Sequence, residues 1–134
     1  MRTITKDITL SVSGEEKTFR LQKPDAFTGV EFMRLLLRLQ EKRPEEKLTV
    51  LDLVTSLSGE ELRQVMTSCL NHVSVLLPAG PNPVMTGPEW GWPEVERDAG
   101  VCLNLTLEEI AWSLEGFFGG GGPDSPPAPA PTSP

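Results

Sequence analysis

Few side chains in this chain are of a type that does chemistry. It holds one histidine, two cysteines and no tyrosine. Cys69 and His72 are three residues apart, but no further ligand stands at metal spacing, and Cys102 is remote and alone. A tetrahedral zinc site needs more than this. A Ser–His–Asp relay would require His72 as its base, and nothing in the sequence positions it for that role. At the end of "CLNHVSV" the histidine reads as a cation at a helix C-terminus or as a packed side chain. The glycine run 119–122 follows a helical pattern instead of a strand, so it does not form a phosphate cradle. No catalytic residue, cofactor or metal is expected. Both cysteines fall inside apolar patterns and read as buried free thiols, not as a disulfide.

What remains is the chemistry of contact, carried by large apolar side chains. Trp90 and Trp92 lie in "PAGPNPVMTGPEWGWPE" (78–94), a stretch of five prolines and three glycines that predicts an irregular loop. Two readings of them stay open: they anchor a partner, or they fold back to cap the domain's own core. Trp112 lies one position off the main stripe of its helix, beside Glu108, Glu109 and Glu115, and reads as a half-exposed contact.

The elements that must position these residues follow from periodicity. Ile4, Ile8, Leu10 and Val12 share one parity in "TITKDITLSV" (3–12), and Phe19 and Leu21 share one in "KTFRLQ" (17–22). With "SGEE" as the turn, the two segments predict an N-terminal β-hairpin, ended by Lys23-Pro24. Four short helices follow. The first, 29–42, carries Phe32, Leu35, Leu36 and Leu39 with Met33 and Leu37 alongside, a stripe wide enough for the centre of the core. The second, 50–57, carries Leu51, Val54 and Leu57. The third, 59–72, has Leu62, Val65, Met66, Cys69, Leu70 and Val73 at helical spacing. The fourth, 107–118, has Leu107, Ile110, Ala111, Leu114, Phe117 and Phe118. Thr28 with Glu31, Ser58 with Glu61, and Thr106 with Glu109 match the capping box, and Thr49 with Asp52 is a weaker variant. Segments 72–77 and 101–105 are each candidates for a short strand.

The fold class expected is α+β, mainly helical, as a single domain over 1–118. Residues 119–134 hold six prolines, four glycines and one charge, Asp124. They predict a disordered low-complexity tail. Net charge is −7 and unevenly spread: residues 1–63 balance, while 64–134 carry Arg97 against eight acids. An acidic half disfavours a phosphate backbone as partner and suits solubility or a basic protein. No apolar run is long enough for a membrane span, and no signal peptide is evident. Neither nucleic acid nor membrane is expected as a partner.

The order of a hairpin, "KPDAFTGVEFMRLLLRLQ", "LSGEELRQVMTSCLNHVSV", a Trp/Pro loop, "LNLTLEEIAWSLEGFF" and a glycine run resembles the tail assembly chaperones of long-tailed bacteriophages. The likeness covers most of 3–118 and rests on element order and helix pattern. It implies a small protein of the host cytoplasm, absent from the mature virion. Such a protein binds the hydrophobic tape measure protein, keeps it soluble and helps recruit subunits of the major tail tube protein. It also implies a second, longer product through ribosomal frameshifting, for which the glycine run is a fitting place. No catalytic residues come with the family, and self-association is a further expectation. Partner contact is expected at Trp90, Trp92, Trp112, Phe32, Leu36, Phe117 and Phe118. Two other readings are a minor structural tail or connector protein of the virion and an adaptor of a secretion system.

Overall fold

The computed structural model describes residues 4–115. Strands β1 (Thr5–Val12) and β2 (Glu15–Gln22) form the expected hairpin, paired from Thr5 opposite Gln22 to Val12 opposite Glu15. Ser13 and Gly14 make its turn, both with positive φ (53° and 84°). Two such residues give the turn whose twist matches the strands it joins. Ile8, Leu10 and Val12 face inward with Phe19 and Leu21, while Asp7, Thr9 and Ser11 face solvent. Across that outer face Arg20 donates to both oxygens of Asp7, at 2.9 and 3.2 Å.

The hairpin is half of a larger sheet. β3 (Val73–Leu77) adds to β2 and β4 (Gly80–Pro83) adds to β3, giving an antiparallel sheet in the order β1-β2-β3-β4. β5 (Met85–Thr86) and β6 (Glu89–Trp90) make a small second hairpin turned at Gly87, and Pro93–Val95 form a 3₁₀ turn. The stretch 78–94 is therefore more regular than its composition predicts. Pro81 and Pro83 fit there because β4 is an edge strand, where a missing N–H on the open side costs no ladder bond.

Helices α1 (Ala26–Lys42), α2 (Val50–Ser56) and α3 (Gly59–Leu70) pack beside the sheet, and α4 (Ala99–Ser113) lies between sheet and helices. The boxes at Thr49/Asp52 and Ser58/Glu61 are both closed reciprocally. Two expected starts differ. α1 begins three residues earlier than read, because Asp25, set by Pro24, accepts from the Thr28 N–H at 2.9 Å. Glu31 is left to pair with Arg34. α4 begins near residue 99, not 107, with Asp98 accepting from the Val101 N–H. Segment 101–105 is thus helix and not strand, and Thr106 lies inside the helix. Val101, Leu103 and Leu105 alternate as a strand would, whereas Val101, Cys102 and Leu105 fall at helical spacing; it is the second set that is buried against the sheet, and this decides for helix.

Buried side chains fall into two clusters. One joins the sheet, the 78–95 segment and the first turns of α4 around Phe19, Leu21, Val75 and Leu105. The other joins α1, α2 and α3 around Phe32, Leu36, Leu53 and Cys69. α4 serves both, giving Val101, Cys102, Leu105 and Trp112 to the first and Ile110 and Leu114 to the second.

Candidate partner-binding surface

The side chains expected to touch a partner divide by burial. Phe32 and Leu36 belong to the helical core and present nothing to solvent. Trp92 is 6% exposed and meets Phe19 edge-on, ring centroids 6.0 Å apart. It caps its own core, one of its two open readings. Trp112 is 8% exposed, which corrects its reading as a half-exposed contact. The start of β1 lies over it: Lys6 Nζ stands 5.0 Å from the ring centroid and Lys23 Nζ 5.9 Å. Two ammonium groups over an indole stabilise it where it is. Lys6 also reaches Glu108 at 3.5 Å. Phe117 and Phe118 lie outside the described residues.

Trp90 is different. It is half-buried and lines an open groove with Leu62, Met66, Leu70, Met85 and Pro88, between α3 and the β5–β6 hairpin. The hairpin is held there by Asn71. Its amide accepts from the Gly87 N–H at 2.6 Å and donates to the Gly87 carbonyl at 3.0 Å. One side chain thereby satisfies both backbone groups of a turn residue.

The apolar surface that the fold does expose lies mainly on α1. Phe27 is 88% exposed and Val30 52%, with Leu37 further along the same row. Residues 27, 30, 34 and 37 follow the helical repeat on the side opposite Phe32, Leu35, Leu36 and Leu39. The helix thus carries, besides the row used by the core, an outer row of Phe27, Val30 and Leu37 interrupted by Arg34. Shallow grooves border the outer row at its N-terminal end. One runs towards α3, lined by Phe27, Leu35, Glu61, Gln64 and Val65. The other runs towards the sheet, lined by Ile4, Pro24, Val30, Met33 and Ser113. The wide stripe of α1 is legible in the sequence, and its inner row, Phe32 and Leu36 among it, is core. The outer row was signalled by Phe27 and Val30, which an α1 starting at Asp25 places on one face.

Charge frames this surface. Arg38 donates to both Glu61 oxygens, at 2.8 and 3.1 Å, and ties α1 to α3. The Arg38 bonds, with the Ser58 N–H, hold the Glu61 carboxyl down to about 2. Leu51 on α2 is a further exposed apolar side chain.

Groups with reactive potential are turned inward. Burial pushes the Cys102 thiol up to about 11 and the Cys69 thiol well above its usual range. Neither is poised as a nucleophile, since it is the thiolate that reacts. His72 ends α3 as expected for a packed side chain: it is half-buried and its Nδ1 donates to the Ser68 carbonyl at 2.8 Å. Glu109 is fully buried, and neither of its oxygens finds a partner among the described residues. Desolvation, opposed weakly by Lys6, lifts it to about 8. Among the described residues no three His, Cys, Asp or Glu side chains converge to hold a metal ion, and no helix is long and apolar enough to cross a membrane. Comparison with known proteins finds no matching family model, no matching curated protein and no matching solved structure.

Proposed function

We propose that this protein is a tail assembly chaperone of a long-tailed bacteriophage. It binds the tape measure protein, keeps it soluble and helps gather subunits of the tail tube around it. The observation that carries this reading is the outer row of α1, where Phe27 and Val30 stand exposed between two shallow grooves on a chain of net charge −7. An apolar helix face bordered by grooves suits an amphipathic helical segment of the client, which lays its own apolar stripe against it. Burying a side chain of this size contributes on the order of 2 kcal/mol, so a few such contacts give useful affinity. Trp90 with Leu62 and Met66 offers a second apolar contact on the far side of α3. The acidic second half keeps the loaded complex in solution and steers it toward basic stretches of the client, a matter of rate more than of affinity. Such a protein acts in the host cytoplasm, does no bond chemistry and leaves before the virion is complete.

Co-expression with the tape measure protein tests the proposal. The wild-type chain is expected to raise the client's soluble yield and to co-purify with it. The complex is expected to survive roughly 0.5 M salt, where exposed charge pairs are largely screened. The double variant Phe27→Ser/Val30→Ser is expected to keep its melting behaviour, since both side chains are exposed, and to lose the client. A client that stays insoluble with the wild-type chain in excess overturns the reading.

A further inference from the structure

We propose that the open edge of β1 is a homodimerisation surface, on which a second copy of this chain pairs antiparallel about a two-fold axis at Ile8. The ladder fixes which backbone groups that edge offers. Val12 and Glu15 close a two-residue turn and form a hydrogen-bonded pair. The alternation then assigns hydrogen-bonded pairs to Leu10, Ile8 and Lys6, and the Lys23 N–H to Ile4 carbonyl bond of 2.7 Å continues it. The backbone groups of Thr5, Asp7, Thr9 and Ser11 therefore point away from β2. Among the described residues no strand pairs with them.

The two edges of the sheet are treated differently. β4 carries Pro81 and Pro83 in its four residues, which blunts it against pairing. β1 is eight residues long and contains no proline. Behind it Ile8 and Leu10 are only partly buried, although both pack on the sheet core. Ile4, at the start of the strand, is 57% exposed. An added strand would complete the cover of all three.

Charge and strand length single out one register for self-pairing. Outward backbone groups pair only with outward groups, so the axis can pass through a limited set of positions. An axis at Lys6 or Asp7 sets like charges opposite each other, which is destabilising. An axis at Thr9 runs Ile4 past the end of the partner strand. The axis at Ile8 sets Thr5 opposite the partner's Ser11 and Asp7 opposite the partner's Thr9. On the inner face it sets Ile8 against the partner's Ile8, Lys6 against the partner's Leu10 and Ile4 against the partner's Val12. No like charges stand directly opposite each other, and the strand is used along its whole length. The product is one continuous sheet across two copies.

Sedimentation of the full chain over a concentration series tests this. A concentration-dependent dimer is expected. Thr9→Pro removes a backbone donor that points off the edge and one exposed side-chain bond of 3.3 Å to Thr18, at a position where sheets tolerate proline, so it is expected to give a monomer with an unchanged circular dichroism spectrum. Should that variant fail to fold, cross-linking decides. Facing residues in a non-hydrogen-bonded pair lie about 4.5 Å apart at Cα, within disulfide reach. Ile8→Cys is thus expected to form a covalent dimer on mild oxidation, and Thr9→Cys is not. A chain that is monomeric at every concentration overturns the proposal. So does a dimer indifferent to Thr9→Pro, or equal cross-linking at positions 8 and 9. A monomer that pairs only after removal of residues 116–134 assigns the edge to the chain's own C-terminal segment and also overturns it.

Discussion

Glu61 and Glu109 each stand three residues after a hydroxyl residue, in the same arrangement, and the fold uses them in opposite ways. At Ser58 the box is closed: the Glu61 N–H donates to Ser58 Oγ and the Ser58 N–H donates to Glu61 Oε1, both at 3.1 Å. Arg38 adds two further bonds, and the carboxyl falls to about 2. At Thr106 the hydroxyl turns back along a continuing helix and donates to the Cys102 carbonyl at 2.9 Å. Glu109 is left buried, without a partner, and rises to about 8. The difference lies in what precedes each box. Leu57, ahead of Ser58, has extended backbone, whereas 99–105 carries Val101, Cys102 and Leu105 on a helical repeat that the sheet buries. A capping pattern marks a helix start only where the chain just before it leaves the helical conformation, as Leu57 does after α2.

The largest effect that would break this contrast concerns pH. Below about pH 4.5 Glu109 is protonated in both the folded and the unfolded chain. Between there and about 8 the unfolded chain releases the proton while the folded one keeps it, so stability falls as pH rises through that window. Glu109→Gln is expected to remove most of that slope and to be more stable than wild type near pH 9, by a difference on the order of several kcal/mol. Denaturant melts of both proteins across the range measure it; parallel curves would mean that Glu109 is charged and solvated.

The caps themselves come next. Ser58→Ala is expected to cost about 1 kcal/mol, and Thr106→Val less than about half of that, since the first loses a working cap and the second a hydroxyl bonded within its own helix. Equal costs in urea melts would erase the distinction between a helix start and a helix interior. The smallest effect is one of titration alone. Arg38→Met is expected to return the Glu61 carboxyl from about 2 toward its ordinary value of 4.5, followed by NMR of the side-chain carboxyl. The stabilising contribution of Glu61 is present above 4.5 and disappears as pH falls toward 2; an unmoved Glu61 in the variant would assign the depression to the Ser58 N–H.

Much of this architecture could be read from residue order, and the failures share a cause. The hairpin was legible because alternation, Ser13-Gly14 and Pro24 agree with one another. α2 and α3 were legible because Thr49 and Ser58 begin them. β4 was not, because Pro81 and Pro83 argue against a strand, and the partner that makes it one, Leu76 with its neighbours, supplies information from outside the segment. The start of α4 was missed because alternate apolar residues over a few positions fit both a strand and a helix. The surface was the least legible part. Phe32 and Phe27 are the same residue type five positions apart on one helix, and the packing of α2 and α4 against one side of it decides which is core.

α4 has a consequence for how the molecule comes into being. It follows every other described element along the chain, yet it completes both clusters. On the ribosome, the sheet and the first three helices emerge with unfinished apolar faces, and neither half closes until residues 99–114 have cleared the exit. The two halves should then mature in a single late step, and an interruption of synthesis before α4 should leave a nascent chain that aggregates or engages cellular folding factors.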